Sequence, residues 1–233
     1  MNASTPDRQI IQEPVDSTVD IKALFRYTPR KIPGRKKLRR SCTTVILDES
    51  PDEGWKVLLI QRARKKGDPW SGHMAFPGGR LSENDPDSFS GALRELKEEI
   101  GMDAQCIEPL GRLSDVFTLA HRRSRLMIIT PFVFRLTNTP ELQLNHEVDQ
   151  VVWIPLSFFL DQNNRKQMTW KFMGKTWTLP CYDFQSYRIW GLTLITLDEV
   201  FGLFAQKIDT NQRFRILHPT NKLRKNWFKV PCR

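Results

Sequence analysis

Three carboxylates, Glu95, Glu98 and Glu99, stand at i, i+3 and i+4 in the run Arg94-Glu95-Leu96-Lys97-Glu98-Glu99-Ile100. In a helix that spacing stacks them on one face. Like charges so placed repel and weaken an isolated helix. The plainest reading is a solvated acidic face, and two neighbours argue against it. Phe89, Leu93, Leu96 and Ile100 recur at three- and four-residue spacing, so an apolar stripe anchors the helix on a core. The helix also follows Phe76-Pro77-Gly78-Gly79, a loop able to offer backbone carbonyls. Hard oxygen donors on a rigid element beside such a loop suit Mg2+ or Mn2+. A cation held by a few carboxylates is what phosphate chemistry uses.

Several elements must position that set. Asp85 before Pro86 predicts a helix N-cap with proline at the first helical position, and Gly101 predicts the stop. Upstream, residues 42–48 and 55–62 are β-branched and aliphatic, and predict a hairpin around the turn at 50–54. Residues 64–80 are rich in Gly and Pro and read as loop, pinned by Trp70, Met74 and Phe76. Further strands are expected at 107–113, 126–136 and 148–154, with a short helix at 157–160 after Pro155. Residues 161–182 read as irregular apart from one strand at 175–179. A last helix is expected at 196–205, where Leu197, Val200, Phe201 and Phe204 share a face. Strands interleaved with a few helices predict an α/β (α+β) fold, a mixed sheet covered by helices.

Composition narrows the classes. With 233 residues, one or two domains are expected, and 39% hydrophobic residues exclude a generally disordered chain. No run approaches the ~18 apolar residues of a membrane span, and the first thirty residues carry no secretory signal. Cys42, Cys106, Cys181 and Cys232 are scattered, with no CxxC pair, so neither a zinc ribbon nor a disulfide framework is expected. Reduced thiols point to the cytoplasm or another reducing intracellular compartment. The net charge of +10 is uneven: residues 26–40 hold eight Lys or Arg and no acid, and residues 211–233 hold seven and no acid. The middle is slightly acidic, unlike a uniformly basic nucleic-acid binder. We read residues 1–40 as a polar then basic arm, 41–210 as the domain and 211–233 as a basic tail.

Arg94 to Met102, RELKEEIGM, resembles the second half of the Nudix hydrolase signature, R-E-U-x-E-E-x-G-U with U aliphatic, and FPGG stands in front of it. The first half departs. Beyond the five residues that follow Gly79 comes Asp85 rather than Glu, and eight residues rather than seven separate it from Arg94. Asp85 with Asp87 at this longer spacing resembles the coenzyme A pyrophosphatase branch. So does the order of segments at 110–118, 129–136, 151–159 and 188–193. The stretch before FPGG matches that branch only in part, which bears on substrate rather than fold. The resemblance implies a Nudix fold and metal-dependent hydrolysis of a diphosphate linkage in a nucleotide derivative. Coenzyme A or acyl-coenzyme A leads; another dinucleotide, a nucleotide sugar or capped RNA is the alternative. It further implies Glu98 and Glu99 as the main ligands of Mg2+ (or Mn2+), completed by the Gly79 carbonyl. Glu95 would be a ligand or the base, and Arg94 would orient it.

Arg62, Arg64, Arg80 and Arg123 are candidates for gripping substrate phosphates, against the simpler reading of solvated strand ends and a basic turn at 121–125. Glu147 is a reserve base, and His73 reads as structural. Trp70, Phe76, Trp153, Phe158 and Trp190 read as core rather than stacking platforms. The basic ends read as solvated. A nucleic-acid partner there, with the fold as a silent binding module, and a homodimer stay open as alternatives.

Overall fold

In the middle of the sheet, residues 43–47 and 57–60 run without a charged break, the pattern of strands covered on both faces. The computed structural model describes residues 19–51, 54–68, 70–120, 125–172 and 174–204. In chain order these form α1 (Lys22–Arg26), β1 (Arg39–Ser50), β2 (Gly54–Arg62), β3 (Met74–Ala75), β4 (Gly78–Arg80) and α2 (Ser88–Ile100). Next come β5 (Ile107–Arg112), β6 (Val116–Ala120), β7 (Arg125–Leu136), β8 (Val148–Pro155) and α3 (Leu156–Leu160). The last are β9 (Arg165–Phe172), β10 (Lys175–Phe184), β11 (Tyr187–Trp190) and α4 (Gly191–Phe204).

One sheet has the order β3-β2-β1-β7-β5, with β4 on β1, β6 on β7 and β8 on β2. Among the described strands only β1 and β7 run parallel, Cys42 facing Thr130 and Ile46 facing Phe134. Alternation along β1 and β2 divides the core. Ile46, Leu58 and Ile60 pack with Leu96, Ile100 and Met102 under α2. Val45, Leu47, Val57 and Leu59 pack with residues of α1, α3 and α4 on the opposite face. Both layers remove apolar area from water, which is the dominant stabilising term. A separate antiparallel sheet, β11-β10-β9, adds Tyr182 and Ile189 to the second layer.

Four expectations are corrected. The α2 N-cap is Asp87, in extended conformation, its side chain accepting from the Ser90 amide; Asp85 is drawn away by Arg94. Residues 161–182 are mostly β9 and β10, which turn at Gly174 with φ 72°. Their solvent face is so rich in Lys, Thr and Gln that the alternation is hidden in the sequence. α4 starts at Gly191, five residues before the expected start at 196. Within the stretch read as an arm, Ala23 and Leu24 are buried in the core. The Ile32 amide donates to Asp115 Oδ2 at 2.9 Å, and Arg35 donates to Thr130 Oγ1 at 2.8 Å while pairing with Asp115 at 3.2 Å. The charge at Arg35 is therefore spent inside the fold rather than on solvent. The 211–233 tail and Cys232 lie outside the described residues. Cys42, Cys106 and Cys181 are free thiols, and among the described residues no helix is long and apolar enough to cross a membrane.

Candidate active site

The site is built where β4 meets α2. β4 pairs with β1 through Thr43–Gly78 and Cys42–Gly79, and at Gly78 the β1 backbone is close enough that no side chain fits. The Gly79 carbonyl accepts from the Ser41 hydroxyl and from Cys42 Sγ. Burial pushes the Cys42 thiol up to about 12, so it stays a neutral hydrogen-bond donor. α2 then carries its acidic face across these glycines. A Cβ on Gly79 would lie 2.4–2.6 Å from the Glu95 carboxyl, so the missing side chain is the cradle for Glu95.

Arg94 organises the set. Its Nε and Nη2 donate to the two oxygens of Asp85 at 2.9 and 3.0 Å. Nη2 also donates to Glu95 Oε1 at 2.9 Å and to the Arg80 carbonyl at 3.1 Å, and Nη1 donates to Glu98 Oε2 at 2.7 Å. Hydrogen bonding to Asp85, above all, holds the guanidinium charged, and the same contact draws the Asp85 carboxyl below its ordinary value. The fork fixes three acidic groups in one geometry, which a lysine could not do.

The carboxylates differ in setting. Glu99 is 2% exposed and accepts from the Gly78 amide at 2.8 Å. Burial pushes it up to about 7, with Glu95 and Glu147 adding to the rise and Arg62 opposing it. Burial also raises Glu95, against the pull of Arg94. Glu98 keeps a side chain 55% exposed. Among the described residues no three ligating side chains converge as they stand, because Glu98 turns toward Arg94. The donor chemistry nevertheless fits a hard divalent cation: a buried carboxylate, a half-buried one, a third at the rim and a glycine carbonyl.

Residues 37–172 match the NUDIX domain. The chain belongs to the Nudix family. It is 31% identical over 170 residues to Nudix hydrolase 15, mitochondrial, of Arabidopsis thaliana, across 70% of this chain and 58% of that protein. It is 29% identical over 141 residues to mitochondrial coenzyme A diphosphatase NUDT8 of Mus musculus, across 58% of this chain and 63% of that one. Among solved structures, a MutT/nudix family protein from Enterococcus faecalis aligns at 18% identity and a TM-score of 0.45, over 80% of this chain and 82% of that chain. The chain spans about half the length of the curated relatives it matches, 50 to 58% for three of them. The mixed sheet between α2 and the opposite helical layer is the Nudix fold.

The remaining candidates scatter around this Nudix centre. Arg62, at the end of β2, pairs with Asp68 at 3.3 Å, and its Nε is buried without a hydrogen-bond partner. Arg64 is exposed and runs past Gly72. Arg80 is exposed on β4 and lends its carbonyl to Arg94. Arg123, with the rest of 121–124, lies outside the described residues. Glu147 stands on the loop before β8; its carbonyl accepts from the Ala63 amide at 2.8 Å, which brings it near Arg62. Sequence reasoning missed two supports. Asp85 serves Arg94 rather than the helix start. The loop around 143–145 closes the end of α2, with the Gln143 and Asn145 amides donating to the Ile100 and Glu99 carbonyls at 2.9 and 3.0 Å. Nothing local in the sequence signals either contact, since both join distant segments.

Proposed function

We propose that the chain is a metal-dependent hydrolase of a diphosphate linkage in a nucleoside diphosphate derivative. Coenzyme A or an acyl-coenzyme A is the leading substrate, giving 3′,5′-ADP and (acyl-)4′-phosphopantetheine. One observation carries the hydrolase reading. Arg94 locks Asp85, Glu95 and Glu98 together, beside a buried Glu99 and the side-chain-free edge of Gly78 and Gly79. The coenzyme A reading is supported by the 29% identity to the mouse diphosphatase and by the Asp85 spacing.

Nudix enzymes generally use divalent metals, and Glu95, Glu98, Glu99 and the Gly79 carbonyl are the groups that would hold Mg2+ or Mn2+ here. Such an ion supplies neutralisation of diphosphate charge and acidification of bound water. The chain's own residues do the positioning. Arg94 fixes the Glu95 rotamer, so that carboxylate stands ready as ligand or proton acceptor. The Gly78 amide holds one Glu99 oxygen and orients the other. Arg62, Arg64 and Arg80 are the cationic groups at hand for the phosphates, and Glu147 is the second acidic group near the set.

The test is purified protein with Mg2+ and a panel of coenzyme A, acetyl-coenzyme A, NADH, ADP-ribose, diadenosine polyphosphates and capped RNA, with products separated by chromatography. Release of 3′,5′-ADP from coenzyme A, lost in Glu98→Gln, is the expected result. Turnover of another panel member alone would overturn the coenzyme A reading. A Glu98→Gln variant as active as wild type would overturn the site.

A further inference from the structure

Register gives the sheet β9–β11 two unlike faces. Trp170 stands opposite Trp177, Met168 opposite Leu179, and Cys181 opposite Trp190, so these side chains share one face. Tyr182, opposite Ile189 and Arg165, belongs to the other face, where its ring packs on Phe159 at 5.1 Å. Three of the seven tryptophans thus lie on a face that the helical core does not use. Trp190 meets His73 with ring centroids 5.2 Å apart and Trp170 at 5.7 Å, both edge to face. Beneath them Leu179 and Cys181 are buried, whereas Trp170, Trp177, Trp190 and His73 are only half-buried. The Trp177 indole N–H is buried without an acceptor.

His73 joins this face to the catalytic set. Its carbonyl accepts from the Arg62 amide at 3.0 Å, and the next amide, Ala63, donates to the Glu147 carbonyl. The loop carrying Glu147 also holds the Glu99 carbonyl through Asn145. Arg62, paired with Asp68 and with its Nε buried and unpartnered, is close enough to act electrostatically on both His73 and Glu99. The Arg64 side chain passes alongside Gly72, 3.9 Å from where a Cβ would be. Burial lowers the His73 pKa, which favours the uncharged ring. Half-open aromatic rings, then guanidinium forks, then carboxylates form a sequence of surfaces. That sequence fits a molecule with a planar ring at one end and phosphates in the middle.

We propose that Trp190, Trp170 and His73 form the platform on which the planar base of a nucleotide substrate stacks, with Arg62 reaching the phosphates between base and Glu99. The identity of the occupant rests on the hydrolase reading above. β10 and β11 lie beyond the residues matched to the NUDIX domain, so Trp190 is not supplied by that match.

The test is calorimetric titration of the full chain with two probes, adenosine 3′,5′-bisphosphate and inorganic pyrophosphate, neither needing turnover. Wild type binds both. Trp190→Leu weakens the bisphosphate about tenfold or more, as loss of one stacked base predicts, and leaves pyrophosphate unchanged. Trp190→Phe restores most of the loss because it keeps an aromatic face. Unchanged bisphosphate affinity in Trp190→Leu, equal loss of both probes, or no saturable bisphosphate binding by wild type would each overturn the platform. If Trp190→Leu fails to fold, His73→Ala and Trp170→Leu carry the same comparison with the same criteria. The two readings fail separately. Base-dependent binding without hydrolysis of any panel member removes the hydrolase and keeps the platform. Hydrolysis of coenzyme A with KM unmoved by Trp190→Leu removes the platform and keeps the hydrolase.

Discussion

Gly78 and Gly79 are adjacent, yet alanine at each has a different consequence. At Gly78, with φ 149°, a Cβ would stand 2.2 Å from the Cys42 carbonyl oxygen and 2.6 Å from the Thr43 Cα. Both are backbone atoms of β1, so relief requires β4 to separate from the sheet. Backbone strain and the lost pairing cost about 3 kcal/mol or more of stability. At Gly79 the Cβ would stand 2.4 Å from Glu95 Oε2, the far end of a flexible side chain. Glu95 must retreat by about 1 Å, which costs under about 1 kcal/mol in stability but about a hundredfold in turnover. Urea denaturation of both variants, with steady-state turnover in Mg2+, separates the two effects. Gly78→Ala should lose stability first, whereas Gly79→Ala should melt like wild type and barely turn over. A Gly79→Ala variant with wild-type turnover would refute the claim that the cradle positions Glu95, and so would equal loss of stability in both.

Asp87→Ala should cost about 1 kcal/mol through loss of the α2 cap, and Asp85→Ala should instead cost turnover by freeing Arg94. The Ser90 amide holds the Asp87 carboxyl below its ordinary 3.8, so the cap stabilises above that pH and is lost as acid protonates the folded form. Denaturation curves of wild type and Asp87→Ala should therefore converge below pH 3.8. Asp198→Ala strands Arg165, which it binds through both oxygens at 2.6 and 2.8 Å, and should cost about 2–3 kcal/mol. Asp183→Ala, which breaks the exposed pair with Arg188, should cost under about 1 kcal/mol; equal losses in denaturant would refute the burial argument. Mg2+ should raise the melting temperature of wild type, by the equivalent of about 2.7 kcal/mol at a hundredfold excess over Kd. Glu99→Gln should lose most of that shift, and no shift in wild type would mean the acidic set is not a cation site.

Much of the protein was legible locally. A 3.6-residue stripe with three glutamates on another face marks α2, and β-branched and aliphatic runs mark β1, β2, β7 and β8, because burial acts on the nearest neighbours in the chain. The RELKEEIGM run gave the Nudix family because its acidic and structural positions are contiguous. Other features depended on residues far apart in sequence. Asp85 looks like a cap until Arg94 reaches it from nine positions away, leaving the cap to Asp87. Arg35 looks solvated until Asp115 is folded beside it. β9 and β10 look irregular because their lysines and threonines face water, and only strand pairing aligns Trp170, Trp177 and Trp190 on one face. The sequence by itself determined α2, the central strands and the acidic motif, which follow from short-range pattern. Only the tertiary structure decided which charges are desolvated and which aromatic rings meet. Both depend on pairings whose loop-closure entropy is repaid only once the whole sheet has formed.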